Sequence, residues 1–200
     1  MYDSKTHHIE GRIFNIRQPH IRPIVRGKAG AVTEFGANVS MNLVDGFVHV
    51  DRISFDAFNE GGDLALQIEE YKRRYGVYPA VVLADKIYRT RKNHNLCKKL
   101  NIRHFGPALG RPPKDEIVRE LRKQIKEDEA ERVEIEGGFG ELKRKYSWDE
   151  IRARLFSTSI TWICIAAIAR NLKKAYRAFL SLLDFYLCLV VRLVYRQVFQ

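Results

Sequence analysis

The chain has 200 residues, 46% of them hydrophobic, enough for one core of ordinary size and a small appendage. Its formal charge of +11 points to an anionic partner, most often nucleic acid, with membrane surfaces and acidic proteins as the other classes. Cys97, Cys164 and Cys188 are widely spaced and outside any CxxC pattern, which supports neither a disulfide framework nor a zinc site and fits a reducing cytoplasm; MYDSKTHHIEGRIF has no apolar h-region, which excludes a secretory signal.

Residues 1–30 are polar and basic, and the glycines and prolines of IRPIVRGKAG predict an extended arm or loop. Over 33–55 the pattern turns to alternation. Val39, Met41 and Leu43 alternate with Asn38, Ser40 and Asn42, Asp45-Gly46 suits a type I′ turn, and Val48, Val50, Ile53 and Phe55 continue beyond it, so a hairpin is predicted. Asn59 caps a helix in which Leu64, Ile68 and Tyr71 share a face and Gly76 closes the end. Pro79 and the apolar run 80–84 read as a strand buried on both faces, ending at Asp85. A helix over 90–100, a short strand in NIRHFG and a breaker at 110–113 follow, and Ile117, Leu121 and Ile125 mark a further helix. The order ββαβαβα with helices behind it is that of an α/β fold with a mixed sheet.

Two features carry chemistry. Asp85 lies at the carboxyl end of a central strand, where ligands of open α/β sheets bind, although an aspartate there also caps the next turn. In ERVEIEGGFGELKRKY, residues 131–146, helical spacing puts Glu136 on one face with Arg132 and Lys143, and Gly137-Gly138 interrupts the segment as though something approached the backbone. A surface helix with ordinary i,i+4 ion pairs explains the charges equally well.

VLADKIYRTRKN, FGPALGRPPKD and RVEIEGGFGELKRKY, together with RPIVRGKAGAVTEFGANVSMNLVDGF, make the chain resemble the catalytic core and C-terminal part of bacterial insertion-sequence transposases of the DDE class, from about residue 10 to about residue 175. The resemblance implies an RNase H-like mixed sheet in 31–150 and C-terminal helices in 151–200. It makes Asp85 the second catalytic carboxylate and Glu136 the third, both metal ligands, with Arg132 and Lys143 as DNA-phosphate contacts. Glu129 stands where many members carry a tyrosine. The family's first catalytic aspartate lies on a central strand upstream of RPIVRGKAG, so the resemblance implies a C-terminal fragment that lacks this first core strand, is inactive alone and is open along two strand edges. RIFNI, residues 12–16, is the candidate to fill the gap.

Phosphodiester cleavage and transfer by such a core uses two Mg²⁺ (or Mn²⁺) ions on hard oxygen ligands. Of the other carboxylates, Asp45 is explained by the turn, Asp51 by a solvated strand face and Asp56 by the helix approach. The expected partner is double-stranded DNA, met by Arg26 and Lys28, by Lys98, Lys99 and Arg103, and by Lys143 to Lys145; His7-His8 belong to an unstructured terminus. A second copy or an intact transposase is a further partner. The rival reading is a DNA-binding or transposase-interacting remnant that does not cut. SITWICIAAIARNL, 159–172, reads as core packing, and the apolar stretch 179–199, broken by Asp184 and Arg192, as a helix packed on protein rather than a membrane span.

Overall fold

A computed structural model of the chain describes residues 12–28, 31–104 and 117–198; His7-His8, the loop 105–115 and the breaker at 110–113 lie outside them, as do the side chains of Arg26 and Lys28. Strand β1 (Pro23–Lys28) pairs antiparallel with β2 (Ala31–Phe35). Residues 23–28, part of the segment read as an arm or loop, are thus a strand. Proline is tolerated at a strand's first position, and the β-branched residues of the two strands outweigh the Pro and Gly signals. The preceding segment is also docked: the Gln18 side-chain amide donates to the carbonyls of Ile151 and Ala153, and the His20 ring stacks edge-on against Phe55 and Phe156.

The hairpin is β3 (Asn38–Val44) and β4 (Phe47–Ser54), joined through Asp45 at φ 49° and Gly46 at φ 73°, the two positive values that a type I′ turn requires. Its register shifts between Ser40 and Met41, which face Arg52 and Val50, so Asp51 is the extra residue of a bulge. The side chain of Asp51 is 2% exposed, which corrects the solvated face assigned to it. It accepts from Asn42 and Gln67 and lies 3.7 Å from Arg74. Burial pushes its carboxyl above the usual carboxylate range against the pull of those partners.

A capped 3-10 turn (Glu60–Gly62) leads into α1 (Leu64–Tyr75), which closes on Gly76 at φ 78°. Strand β5 (Val81–Val82) is shorter than the predicted run and only half-buried; it pairs parallel with β6 (Arg103–His104), with α2 (Arg91–Lys99) between them under a Thr90 cap. Helix α3 (Ile117–Tyr146) runs through Gly137-Gly138 without a break, and α4 (Phe156–Val198) is one helix where several were expected. Gly137 is open to space, whereas Gly138 is buried with Met41, Leu43 and Arg170 at ordinary contact distance from where a Cβ would lie.

Two cores follow. Met41 and Val48 of the hairpin bury against Leu142 of α3 and Ala167 of α4, while Leu64 and Ile68 of α1 bury against Cys97 and Ile102. Ile163 and Ala166 of α4 are also buried, but Trp162, Ile165, Ile168 and Leu172 are exposed, so 159–172 is core on one side only. Among the described residues the strands form three separate two-stranded sheets, β1-β2, β3-β4 and β5-β6, in place of the single mixed sheet expected from the element order. Between residues 39–46 and residues 79–85 lies a cavity of about 810 Å³, lined also by Leu64 and Ile68 of α1 and by Ile135 and Phe139 of α3. The physical reason for the half-buried β5 is this space on its unpaired side. RIFNI does not line it: Phe14 meets the Phe35 ring, and Ile16 is 93% exposed.

Replacing Gly137 by alanine should raise stability by about 0.5–1 kcal/mol, the helical cost of glycine in an open position. Gly61→Ala should lower it by about 1–3 kcal/mol, because the added carbon would stand 2.4 Å from the Ile87 carbonyl oxygen. Urea unfolding of both variants at constant slope checks the pair.

Candidate functional site

Asp85 follows β5 in extended backbone and caps the 3-10 turn Lys86–Tyr88, accepting from the Lys86 amide at 2.7 Å. The capping role is therefore real, and it leaves the other carboxylate oxygen and further lone pairs free for partners. Arg132 of α3 supplies one. Its Nη1 donates to Asp85 Oδ1 at 3.1 Å, while Nη2 lies 3.6 Å from Glu136 Oε1 one turn on. A single guanidinium thus stands between two carboxylates from elements far apart in sequence.

The exposures of the three differ. The side chains of Asp85 and Glu136 are each 65% exposed, but that of Arg132 is 29% exposed and its Nε is buried with no hydrogen-bond partner. The cation is the sunken member and the acids are the open ones. Lys143 lies two turns beyond Glu136 and is exposed. Because α3 is unbroken across the glycines, Arg132, Glu136 and Lys143 keep one stripe of the helix, beside the stripe of Ile135 and Leu142 that enters the core. Glu129, in the place of the expected tyrosine, is exposed as well.

Hard oxygen donors on either side of a cation are what a divalent ion of the Mg²⁺ type requires, and the guanidinium marks the place where positive charge is stabilised. Asp85 and Glu136 offer carboxylate oxygens of that kind on either side of the Arg132 guanidinium. Among the described residues no cluster of three or more Asp, Glu, His or Cys side chains could hold a metal. Asp45 sits in the hairpin turn, Asp51 in its buried network, and Asp56 is exposed beside Ser54, so none of the three joins the pair. Asp85, Arg132 and Glu136 all line the cavity between the two sheets.

Two anchors escaped the sequence reading. Asp128, one turn before Arg132, is nearly buried and takes a bidentate pair from Arg103 of β6, with Nη2 to Oδ1 at 2.8 Å. Arg103 is therefore engaged in holding α3, not free for the basic track assigned to it. Glu141 pairs with Arg170 of α4 at 3.2 Å, and Arg170 also donates to the Gly46 carbonyl in the hairpin turn. The signal for the first was the 128-132-136 spacing, which puts three charged residues on one helix stripe; in a segment as charged as KEDEAERVEIE it reads as a solvated face.

Residues 82–173, a little under half of the chain, match the family model of the transposase DDE domain. No curated protein and no solved structure gives a significant match. The matched span holds Asp85, Asp128, Arg132, Glu136 and Lys143 together.

Asp128→Asn should destabilise by about 1–3 kcal/mol, since it strips a charged acceptor from Arg103 in a nearly buried pair. Arg132→Gln should cost less than about 1 kcal/mol, because both its partners are solvated. Urea midpoints compared across the two variants check the ranking.

Proposed function

We propose, from the match of residues 82–173 to the family model of the transposase DDE domain, that the chain holds two of the metal-binding carboxylates and two of the phosphate-binding cations of an incomplete site for DNA strand cleavage and transfer. The observation that carries this reading is the Arg132 guanidinium held between Asp85 and Glu136. Asp85 and Glu136 would hold Mg²⁺ or Mn²⁺, which when bound would supply charge neutralisation at the reacting phosphodiester. Arg132 gives up its place between the acids and, with Lys143 on the same stripe, takes DNA backbone phosphates, so the helix that presents Glu136 also fixes where the strand lies.

The fold in this reading is RNase H-like, and the cavity is where its sheet is incomplete. One extended strand between β3 and β5 would join the two small sheets, satisfy both open edges and bring a third carboxylate to the pair. The described residues supply no such strand. Without it the two acids would supply only part of the ligands that such an ion needs, and the chain binds DNA but does not cut it. The rival, a DNA-binding remnant with no place in catalysis, draws on the same lack of a third carboxylate among the described residues.

Supercoiled plasmid should stay intact with the chain and Mg²⁺ or Mn²⁺, while duplex DNA binds with little sequence preference and loses affinity steeply with salt. Replacing both Arg132 and Lys143 by glutamine should reduce the slope of log affinity against log salt by about 2, one unit per lost phosphate contact. Binding indifferent to salt would overturn the DNA reading. Nicking that disappears in Asp85→Ala would show instead that the site is complete.

A further inference from the structure

The charge of the chain is unevenly spread. Between Asp85 and Asp115 the sequence holds nine Lys and Arg and no Asp or Glu, so most of the formal +11 lies in that stretch and the rest of the chain is close to neutral. Helix α2 carries four of the nine, and its packing puts those four on one face. Cys97 is fully buried in the core with Leu64, Ile68 and Ile102. Asn93 is buried beside it and donates to the Gly61 carbonyl at 2.7 Å and the Tyr88 carbonyl at 2.8 Å. At about 3.6 residues per turn, Arg91, Lys92, Asn95, Lys98 and Lys99 share the opposite side of the helix. All five are exposed.

A solvated helix face ordinarily mixes both signs and sets acids one turn from bases. This face has no acid, and among the described residues no carboxylate pairs with Arg91, Lys92, Lys98 or Lys99. Arg91 and Lys92 also stand in the first turn, where the helix dipole opposes positive charge, and no acid there offsets them. Helix α2 keeps this face because Asn93 and Cys97 hold it from behind, and anions laid along the face relieve the repulsion. A lipid surface offers anions too, but a helix bound there sets apolar residues beside its cations, and this face has none.

The spacing fits one kind of polyanion. The pairs Arg91-Lys92 and Lys98-Lys99 lie seven residues apart, about 10.5 Å along the axis. The major groove of B-form DNA is about 12 Å wide and admits an α-helix, whereas that of A-form RNA is too narrow and deep. We infer that α2 is a duplex-binding element seated at the major groove, with Arg91 and Lys92 on the phosphates of one strand, Lys98 and Lys99 on those of the other, and the shorter Asn95 between them. This rests on the DNA reading above and adds a second contact surface to Arg132 and Lys143. Because β5 and β6 are parallel, α2 runs back between them, and its first turn lies at the end of the unit where Asp85 stands. A duplex held by α2 is thereby brought to the end of the sheet that carries this acid.

Arg91→Gln with Lys92→Gln, and Lys98→Gln with Lys99→Gln, should each lower the slope of log affinity against log salt for a short mixed-sequence duplex by about 2, with helical circular dichroism retained and thermal stability not lowered. Arg152→Gln with Arg154→Gln, which removes two exposed cations elsewhere, should leave the slope as it is. Methyl green, a major-groove ligand, should compete with the chain for the duplex, and netropsin, a minor-groove ligand, should not. Unchanged slopes in both α2 variants, while Arg132→Gln with Lys143→Gln still lowers its own, would overturn this inference and leave the DNA reading standing. A wild-type chain indifferent to salt would overturn both. Competition by netropsin alone, equal affinity for duplex RNA, or α2 variants that lose phosphatidylserine vesicles and keep DNA would each overturn this inference.

Discussion

The docking of α3 on the β3–β4 hairpin decides where everything else in the site falls. Leu142 is fully buried among Met41, Val48 and Ala167, and its burial fixes both the rotation of α3 and its position along its axis. Arg132 and Glu136 lie one to three turns upstream, so a slip by one turn would carry them about 5.4 Å from Asp85. Loss of a buried leucine side chain costs about 2–5 kcal/mol, several times what an exposed ion pair contributes. The contacts within the site therefore report its geometry more than they create it. The anchors Arg103–Asp128 and Arg170–Glu141 stand on either side of the Arg132–Glu136 turn and hold the helix against rocking.

The hairpin makes this docking possible by presenting a different chemistry on each face. Met41, Leu43, Val48 and Val50 meet α3 and α4, while Ser40, Asn42 and the bulged Asp51 meet Gln67 and Arg74 of α1. An apolar second face would have closed on α1 as a single core. The polar network instead keeps α1 at hydrogen-bonding distance and leaves the cavity between β3 and β5 open toward Asp85 and Glu136. Gly138 belongs to the same fit: a Cβ there would lie 3.8 Å from the Met41 side chain and 3.9 Å from that of Leu43.

Much of this was legible locally. The type I′ turn, the cap at Asn59 and the glycine stop at 76 rest on local backbone preference or on a side chain that bonds to its own neighbourhood, which is what a sequence states most directly. The strand before Asp85 was legible as apolar but not in its length, because a strand is as long as its partner makes it and β5 has one neighbour. Asp51 was misplaced because a bulge shifts the alternation by one. The step from Val50 to Ile53 in the apolar pattern was its visible trace. The glycine pair misled for another reason: helix propensity is a cost of about 1 kcal/mol per residue, which burial of Leu142 and its neighbours overrides. The partners of Asp85 and Asp128, 47 and 25 residues away, are long-range pairs that no local pattern encodes.

Asp85 and Glu136 are proposed to form one cation site, filled in this structure by the guanidinium of Arg132. Paramagnetic broadening of the chain's amide resonances by Mn²⁺ tests it without DNA or turnover. Broadening centred jointly on Asp85 and Glu136, strengthened in Arg132→Gln and lost in either Asp85→Asn or Glu136→Gln, is expected. Broadening centred elsewhere, or unchanged by those three substitutions, would contradict it.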